Sequence, residues 1–281
     1  MTLSDTFRPR EELRKRSIEA FSSQDDVYRI CFFGREAEGK HDRYSDIDMV
    51  VFSNDLVSTY AKYKNLFSTI SPIRATFPLG GIPDGYSEMV LLREYSPYQK
   101  VDFSIGDWGK QDWQFLAVYD SKDKTRISQT KLESKPILRD VRYVLADVLF
   151  SVARFTKCLF RHDIDMYRRW MSITDVTLAL LYEKHFGWNY EMEQTRLGSY
   201  GIKRLYDALS SEEREQVHAI RSPVGMLDVA SSYQASVELL IDLSKQKAEH
   251  FGIALDYDLI EYITKFMGIE MAKYRDLYVV I

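Results

Sequence analysis

The chain of 281 residues is 45% hydrophobic and 28% charged, enough for a substantial core and without the bias of disordered, collagen-like or coiled-coil sequences. Lys and Arg number 38 against 42 Asp and Glu, a formal charge of -4, which argues against coating nucleic acid or an anionic membrane as the main task. The two cysteines, Cys31 and Cys158, stand far apart and exclude a disulfide framework and a zinc ribbon.

Residues 2–16 are polar and charged, without the apolar core of a signal peptide, and no run approaches ~18 uncharged apolar residues. The expectation is a soluble, cytoplasmic protein with no membrane contact.

Residues 7–22 read as a helix, with Leu13, Ile18 and Phe21 set among charges. Residues 27–33 read as a strand ending at Gly34. A loop over 35–45 holds Gly39, Lys40, His41, Asp42 and Arg43, and residues 47–52 form a second strand, joined to the first by a loop of hairpin-like length. Residues 56–67 are helix-like. Residues 69–85 carry Pro72, Pro78, Gly80, Gly81 and Pro83, so they read as loop or broken strand. Residues 88–93 and 100–105 look like further strands, the latter alternating from Lys100 through Asp102 to Ser104, and residues 107–113 end the sheet region.

From about residue 134 the period changes. Val141, Val144, Leu145, Val148, Leu149, Val152, Phe155 and Leu159 follow helical spacing, and residues 167–185 continue in that style up to Gly187. Ser210 followed by Glu213 is a capping-box signature that starts a helix, and residues 225–250 and 259–274 are further helices. The fold class is α+β: an N-terminal mixed sheet with helices (1–130), then a C-terminal all-helical domain (131–281), joined within a polar stretch between 120 and 136.

The chemistry concentrates between Phe32 and Phe52. An apolar strand runs into Gly34, the chain loops back, and the next strand opens Asp46-Ile47-Asp48. Side chains alternate across a strand, so Asp46 and Asp48 project to one side, about 7 Å apart along the chain. Two such carboxylates are costly unless a cation neutralises them, and hard oxygen donors suit Mg²⁺ or Mn²⁺ completed by substrate phosphates. Asp102, between apolar Val101 and Phe103, offers a third carboxylate. Asp-x-Asp alone is weak evidence, since Asp163-Ile164-Asp165 and Asp256-Tyr257-Asp258 repeat it. Both stand before helical patterns, where acids favour the positive helix end.

Gly34, about ten residues, then Ser45-Asp46-Ile47-Asp48 opening a strand resembles the nucleotidyltransferase superfamily typified by DNA polymerase beta. Its small-molecule branch, the aminoglycoside and lincosamide nucleotidyltransferases, adds a helical C-terminal domain of this length. Gly201-Ile202-Lys203 is similar to the glycine-lysine-leucine helix start of those enzymes. The resemblance implies metal-dependent transfer of a nucleoside monophosphate from a nucleoside triphosphate, ATP by expectation, to a hydroxyl of a small acceptor such as an antibiotic, with release of pyrophosphate. It implies Asp46, Asp48 and Asp102 as catalytic metal ligands, and Gly34, Arg35, Ser45 and Lys203 as nucleotide contacts. The family usually has a small residue where this chain has Arg35, which either contacts phosphate itself or weakens the activity, leaving a silent nucleotide- or protein-binding module. Polymerisation on nucleic acid is not expected, and monomer and homodimer both remain open.

Asp175 and Glu183, an i, i+8 pair on one helix, are candidates for a general base or simply a solvated face. Trp108, Trp113, Tyr95 and Tyr98 could wall an acceptor pocket or pack in a core. Glu88, Glu94, Asp107 and Asp112 could form an acidic rim for a polycationic acceptor. A glycosyltransferase also uses Asp-x-Asp, but there the apolar strand leads into the motif, whereas here Met49 to Phe52 follow it. Neither a P-loop, a Gly-x-Gly-x-x-Gly nor a Gly-x-Ser-x-Gly occurs, and the histidines show no zinc spacing.

Overall fold

Short β-branched and aromatic runs build a sheet in the first half of the chain, and the helical period takes over after residue 140. The computed structural model describes residues 7–80, 85–106, 115–121, 137–192, 196–221 and 226–279. The chain divides into two compact units, Met1–Ile137 and Leu138–Ile281.

The first unit opens with helix α1 (Arg10–Ser22), strand β1 (Val27–Phe32), a single helical turn α2 (Gly34–Ala37) and strand β2 (Ile47–Ser53). Helix α3 (Leu56–Ile70), β3 (Ile73–Gly80), β4 (Gly85–Leu92), β5 (Val101–Gly106) and β6 (Leu116–Asp120) follow. The sheet order is β3-β4-β5-β2-β1-β6, with β2 and β5 parallel and the other neighbours antiparallel.

Alternation gives each central strand two faces. Ile47, Met49 and Val51 of β2 and Val101, Phe103 and Ile105 of β5 join the core with residues of α1 and α3. Phe103 sits at the middle of an aromatic cluster, its ring centroid 5.2 Å from Phe21, 5.2 Å from Tyr63 and 5.5 Å from Phe67. Asp48 and Asp102, at intervening positions, belong to the opposite face.

Two expectations for the sheet need correction. Residues 73–80 form a strand despite Pro78, because β3 lies at the sheet edge, where a proline removes no ladder bond the fold requires. Register shifts flank that stretch at Ile73/Ala75 and Pro78/Gly80. The sheet also does not end with β5, since β6 pairs with β1 at the other edge. Its part-exposed side chains lack the apolar alternation that reveals a strand in sequence.

The second unit consists of α4 (Val141–Phe160), α5 (Asp165–Phe186), α6 (Ser199–Ala208), α7 (Ser211–Arg221), α8 (Met226–Phe251) and α9 (Tyr257–Val279) among the described residues. Asp140 starts α4 by accepting the Arg142 and Tyr143 N–H groups. The anticipated capping box is present: the Glu213 N–H donates to Ser210 Oγ (3.2 Å) and the Ser210 N–H to Glu213 Oε2 (3.0 Å). Asp163 and Asp256 accept the N–H groups of Asp165 and Leu259 at the starts of α5 and α9, so these Asp-x-Asp copies serve helix ends. Phe155 of α4 stacks on Tyr233 of α8 at 3.7 Å, and the Tyr233 hydroxyl donates to Ser151. No helix of the described residues is long and apolar enough to cross a membrane.

Candidate active site

The parallel pairing of β2 with β5 makes Asp48 and Asp102 register partners, which puts both carboxylates on the same face. Asp46, two residues before Asp48, joins them. One carboxylate oxygen from each of Asp46, Asp48 and Asp102 lies within 4.8 Å of the others, and all three residues are part-buried. Three hard oxygen donors converging at this spacing fit Mg²⁺ or Mn²⁺ by their chemistry.

Gly34 is held against this cluster. Its φ is +60°, and a Cβ placed on it would lie 2.5 Å from Asp48 Oδ2. The position needs glycine on both counts, for a left-handed backbone and for the close approach. The neighbouring Phe33 N–H donates to the Asp48 carbonyl (3.1 Å), tying the end of β1 to the motif strand. Arg35 points a half-exposed side chain toward Asp42 (3.9 Å). Ser45 is buried, and its hydroxyl closes the loop by accepting the Asp42 N–H (3.0 Å) and donating to Asp42 Oδ1 (3.1 Å). That engagement gives Ser45 a part in shaping the loop.

Four residues passed over in the sequence, Arg10, Arg14, Glu36 and Lys100, organise this region. Arg10 of α1 is buried; its Nε donates to the Ser45 carbonyl (3.0 Å) and its Nη2 to the Asp46 carbonyl (3.0 Å). The same guanidinium pairs with buried Glu36, which also accepts from Arg14 Nε (2.7 Å). Burial alone would push the Glu36 carboxyl up, but Arg10 and Arg14 outweigh it and hold it below the usual range. His41 lies 3.7 Å from Glu36 and 3.8 Å from Glu11, on the edge of this cluster. Lys100, immediately before β5, is also buried, with Nζ 2.8 Å from Asp46 Oδ2 and paired with Asp102 Oδ1. The spacing Lys100-Val101-Asp102 was the available signal, because alternate strand residues share a face.

The remaining candidates are distributed as follows. Tyr95 is fully buried in the first unit's core, so packing is its role rather than a pocket wall. Tyr98 packs edge-on against Tyr44 at 5.1 Å. Glu88 is not part of an exposed rim: it is buried and accepts the Tyr63 hydroxyl, while burial and the Glu88 charge push Tyr63 far above its ordinary value. Glu94 pairs with Arg8 at 3.0 Å. Trp108, Trp113, Asp107 and Asp112 lie outside the described residues.

In the second unit Lys203 is exposed on α6. Glu183 is buried and accepts a hydrogen bond from Nζ of buried Lys247 (2.7 Å), an ion pair sealed inside the helical unit. A carboxylate so committed is not available as a base, which corrects that expectation. Asp175 is partly exposed, 3.5 Å from Arg196, and burial raises its pKa against the opposing effects of Arg196 and Arg221.

The mixed sheet thus carries a glycine turn and three convergent aspartates on adjacent parallel strands, with Gly34 against Asp48. Residues 14–80, about a quarter of the chain, match the family model described as a nucleotidyltransferase domain. Among solved structures, an aminoglycoside 6-adenyltransferase from Bacillus subtilis aligns over 94% of this chain and 99% of its own, at 15% identity and a TM-score of 0.34. No curated protein sequence matches the chain.

Proposed function

We propose that the protein transfers a nucleoside monophosphate from a nucleoside triphosphate to a hydroxyl of a small acceptor, with Mg²⁺ or Mn²⁺ held by Asp46, Asp48 and Asp102. The observation that carries this reading is the convergence of those three carboxylates within 4.8 Å beside Gly34. Bound there, the metal would supply Lewis-acid stabilisation of the charge on the attacking and leaving oxygens.

The chain's own groups account for the rest of the reaction. Gly34 leaves room for backbone to approach the phosphates, and Arg35, half-exposed at the same turn, can pair with a phosphate oxygen. Arg10 fixes the Asp46 carbonyl and with it the direction of the motif. Lys203 is the candidate phosphate contact of the helical unit. Asp175, whose carboxyl is shifted upward by burial, suits acceptance of the acceptor's proton.

An aminoglycoside or lincosamide antibiotic is the acceptor class we favour. The support is the motif spacing from Gly34 to Asp48 and the helical unit with Gly201-Ile202-Lys203 that follows it.

The test is pyrophosphate release with Mg²⁺, each ribonucleoside triphosphate, and a panel of aminoglycosides and lincosamides, with Asp46→Asn and Asp48→Asn run alongside. Acceptor-dependent release lost in both variants supports the proposal and names the acceptor. Triphosphate binding without release from any acceptor would point to a silent binding module instead. Loss of neither activity nor binding in the variants would remove the aspartates from the chemistry.

A further inference from the structure

Lys100 has the burial of a core residue and the charge of a surface one. Its side chain is 3% exposed, and its partners Asp46 and Asp102 are 19% and 17% exposed. A buried ammonium persists only where carboxylates pair with it, so Lys100 is bound to the acidic cluster by the same energetics that would bind a metal. The backbone fixes its place. The 3₁₀ turn Pro97–Gln99, capped by Ser96, delivers the chain to β5, and the Lys100 carbonyl accepts the Ile47 N–H at 3.0 Å, beginning the parallel ladder of β2 and β5. Two residues on, Asp102 lies on the same face, and Lys100 bridges it to Asp46 on the neighbouring strand.

We infer that Lys100 is the built-in countercation of the acidic triad: without nucleotide its ammonium holds the Asp46–Asp102 edge, and a divalent ion gains that edge only by displacing it. The inference rests on reading the triad as a metal site. Lys100 lowers the formal charge of the cluster from -3 to -2 and occupies carboxylate oxygens a metal would need. A fixed positive charge a few ångströms from a divalent ion repels it, and the repulsion persists at a protein-like dielectric. Tight metal loading then waits for a nucleoside triphosphate, whose phosphates bring negative charge of their own and draw the ammonium away from the aspartates. Lys100 is thus a positioning residue that couples metal binding to donor binding.

The experiment is a Mn²⁺ titration of the full chain followed by electron paramagnetic resonance, with and without a non-hydrolysable triphosphate, on wild type, Lys100→Met and Lys100→Gln. The expected result is nucleotide-free Mn²⁺ affinity higher by on the order of tenfold in both variants, with the difference shrinking once triphosphate is present. Equal or weaker Mn²⁺ binding in the variants overturns the inference. Should neither variant fold, wild type decides: Mn²⁺ uptake that needs triphosphate supports it, and full uptake without triphosphate overturns it. Uptake by wild type that is abolished in Asp46→Asn keeps the metal reading standing even when the Lys100 inference falls. Absence of Mn²⁺ uptake in every form, with or without triphosphate, removes both.

Discussion

Gly34 and Asp48 are in such close approach that a single added carbon on the glycine would lie 2.5 Å from a carboxylate oxygen of the aspartate. The glycine turn and the aspartate motif, fourteen residues apart in sequence, are therefore one object. Gly34→Ala should lower transfer by on the order of 100-fold, because the methyl must displace the Asp48 carboxylate, and the positive φ adds about 1–2 kcal/mol of strain. Acceptor-dependent pyrophosphate release and thermal unfolding measured together check this. Wild-type rates would refute it.

Arg10 reaches the Ser45 and Asp46 carbonyls and Glu36 with one planar group. A lysine has no such fork, so Arg10→Lys is not conservative here. Arg10→Met leaves Glu36 buried with only part of its compensation and should cost about 3–5 kcal/mol in urea unfolding. Arg10→Lys should cost less but still reduce transfer, since the Asp46 backbone loses its anchor.

The pair Glu183–Lys247 makes a different prediction. Removing one partner, as in Lys247→Met, strands a buried carboxylate and should cost about 3–5 kcal/mol. Glu183→Leu combined with Lys247→Met should recover most of that loss, and a double-mutant cycle by urea denaturation measures it. Recovery of stability with pyrophosphate release intact would also separate Glu183 from the chemistry.

Glu213 sets an acid limit on the second unit. Burial works against its charge, but the Ser210 backbone N–H and Lys184 prevail and bring its pKa from an ordinary 4.5 to about 2. A depressed carboxyl contributes fully above the unfolded value and loses its contribution as pH falls through the folded one. The stabilisation should therefore be complete above about 4.5 and decline toward pH 2. Glu213→Gln should remove this slope and weaken the start of α7 by about 1 kcal/mol, seen in unfolding curves across that pH range.

The proposed role of Asp175 as proton acceptor is testable through pH. Its carboxyl is raised by burial, so it is protonated, and useless as a base, below its pKa. Transfer should rise with pH through an acid limb that Asp175→Asn flattens, while nucleotide binding is kept. An unchanged acid limb in the variant would assign the proton acceptor elsewhere.

Local chemistry made much of this legible in sequence. The apolar run before Gly34 and the Ser45-Asp46-Ile47-Asp48 opening of β2 are contiguous signals, as are the Ser210–Glu213 capping box and the helical spacing of Val141 to Leu159. Each depends on neighbours a few residues away, which is the range over which period and capping act. The strand at 73–80 was hidden because Pro78 reads as a breaker until its place at the sheet edge is known.

What the sequence determined by itself was the motif and its side: alternation alone puts Asp46 and Asp48 on one face and gives Lys100 and Asp102 a common face. Only the tertiary structure decided that β2 and β5 run parallel and in the register that makes Asp48 and Asp102 partners. It also decided that Arg10 holds the motif backbone, that Lys100 lies between Asp46 and Asp102, and that Glu183 is consumed by Lys247. The physical reason is common to these cases: strand register and the partners of buried charges join residues 35 to 64 positions apart, and no local pattern encodes which distant partner will satisfy a charge withdrawn from water.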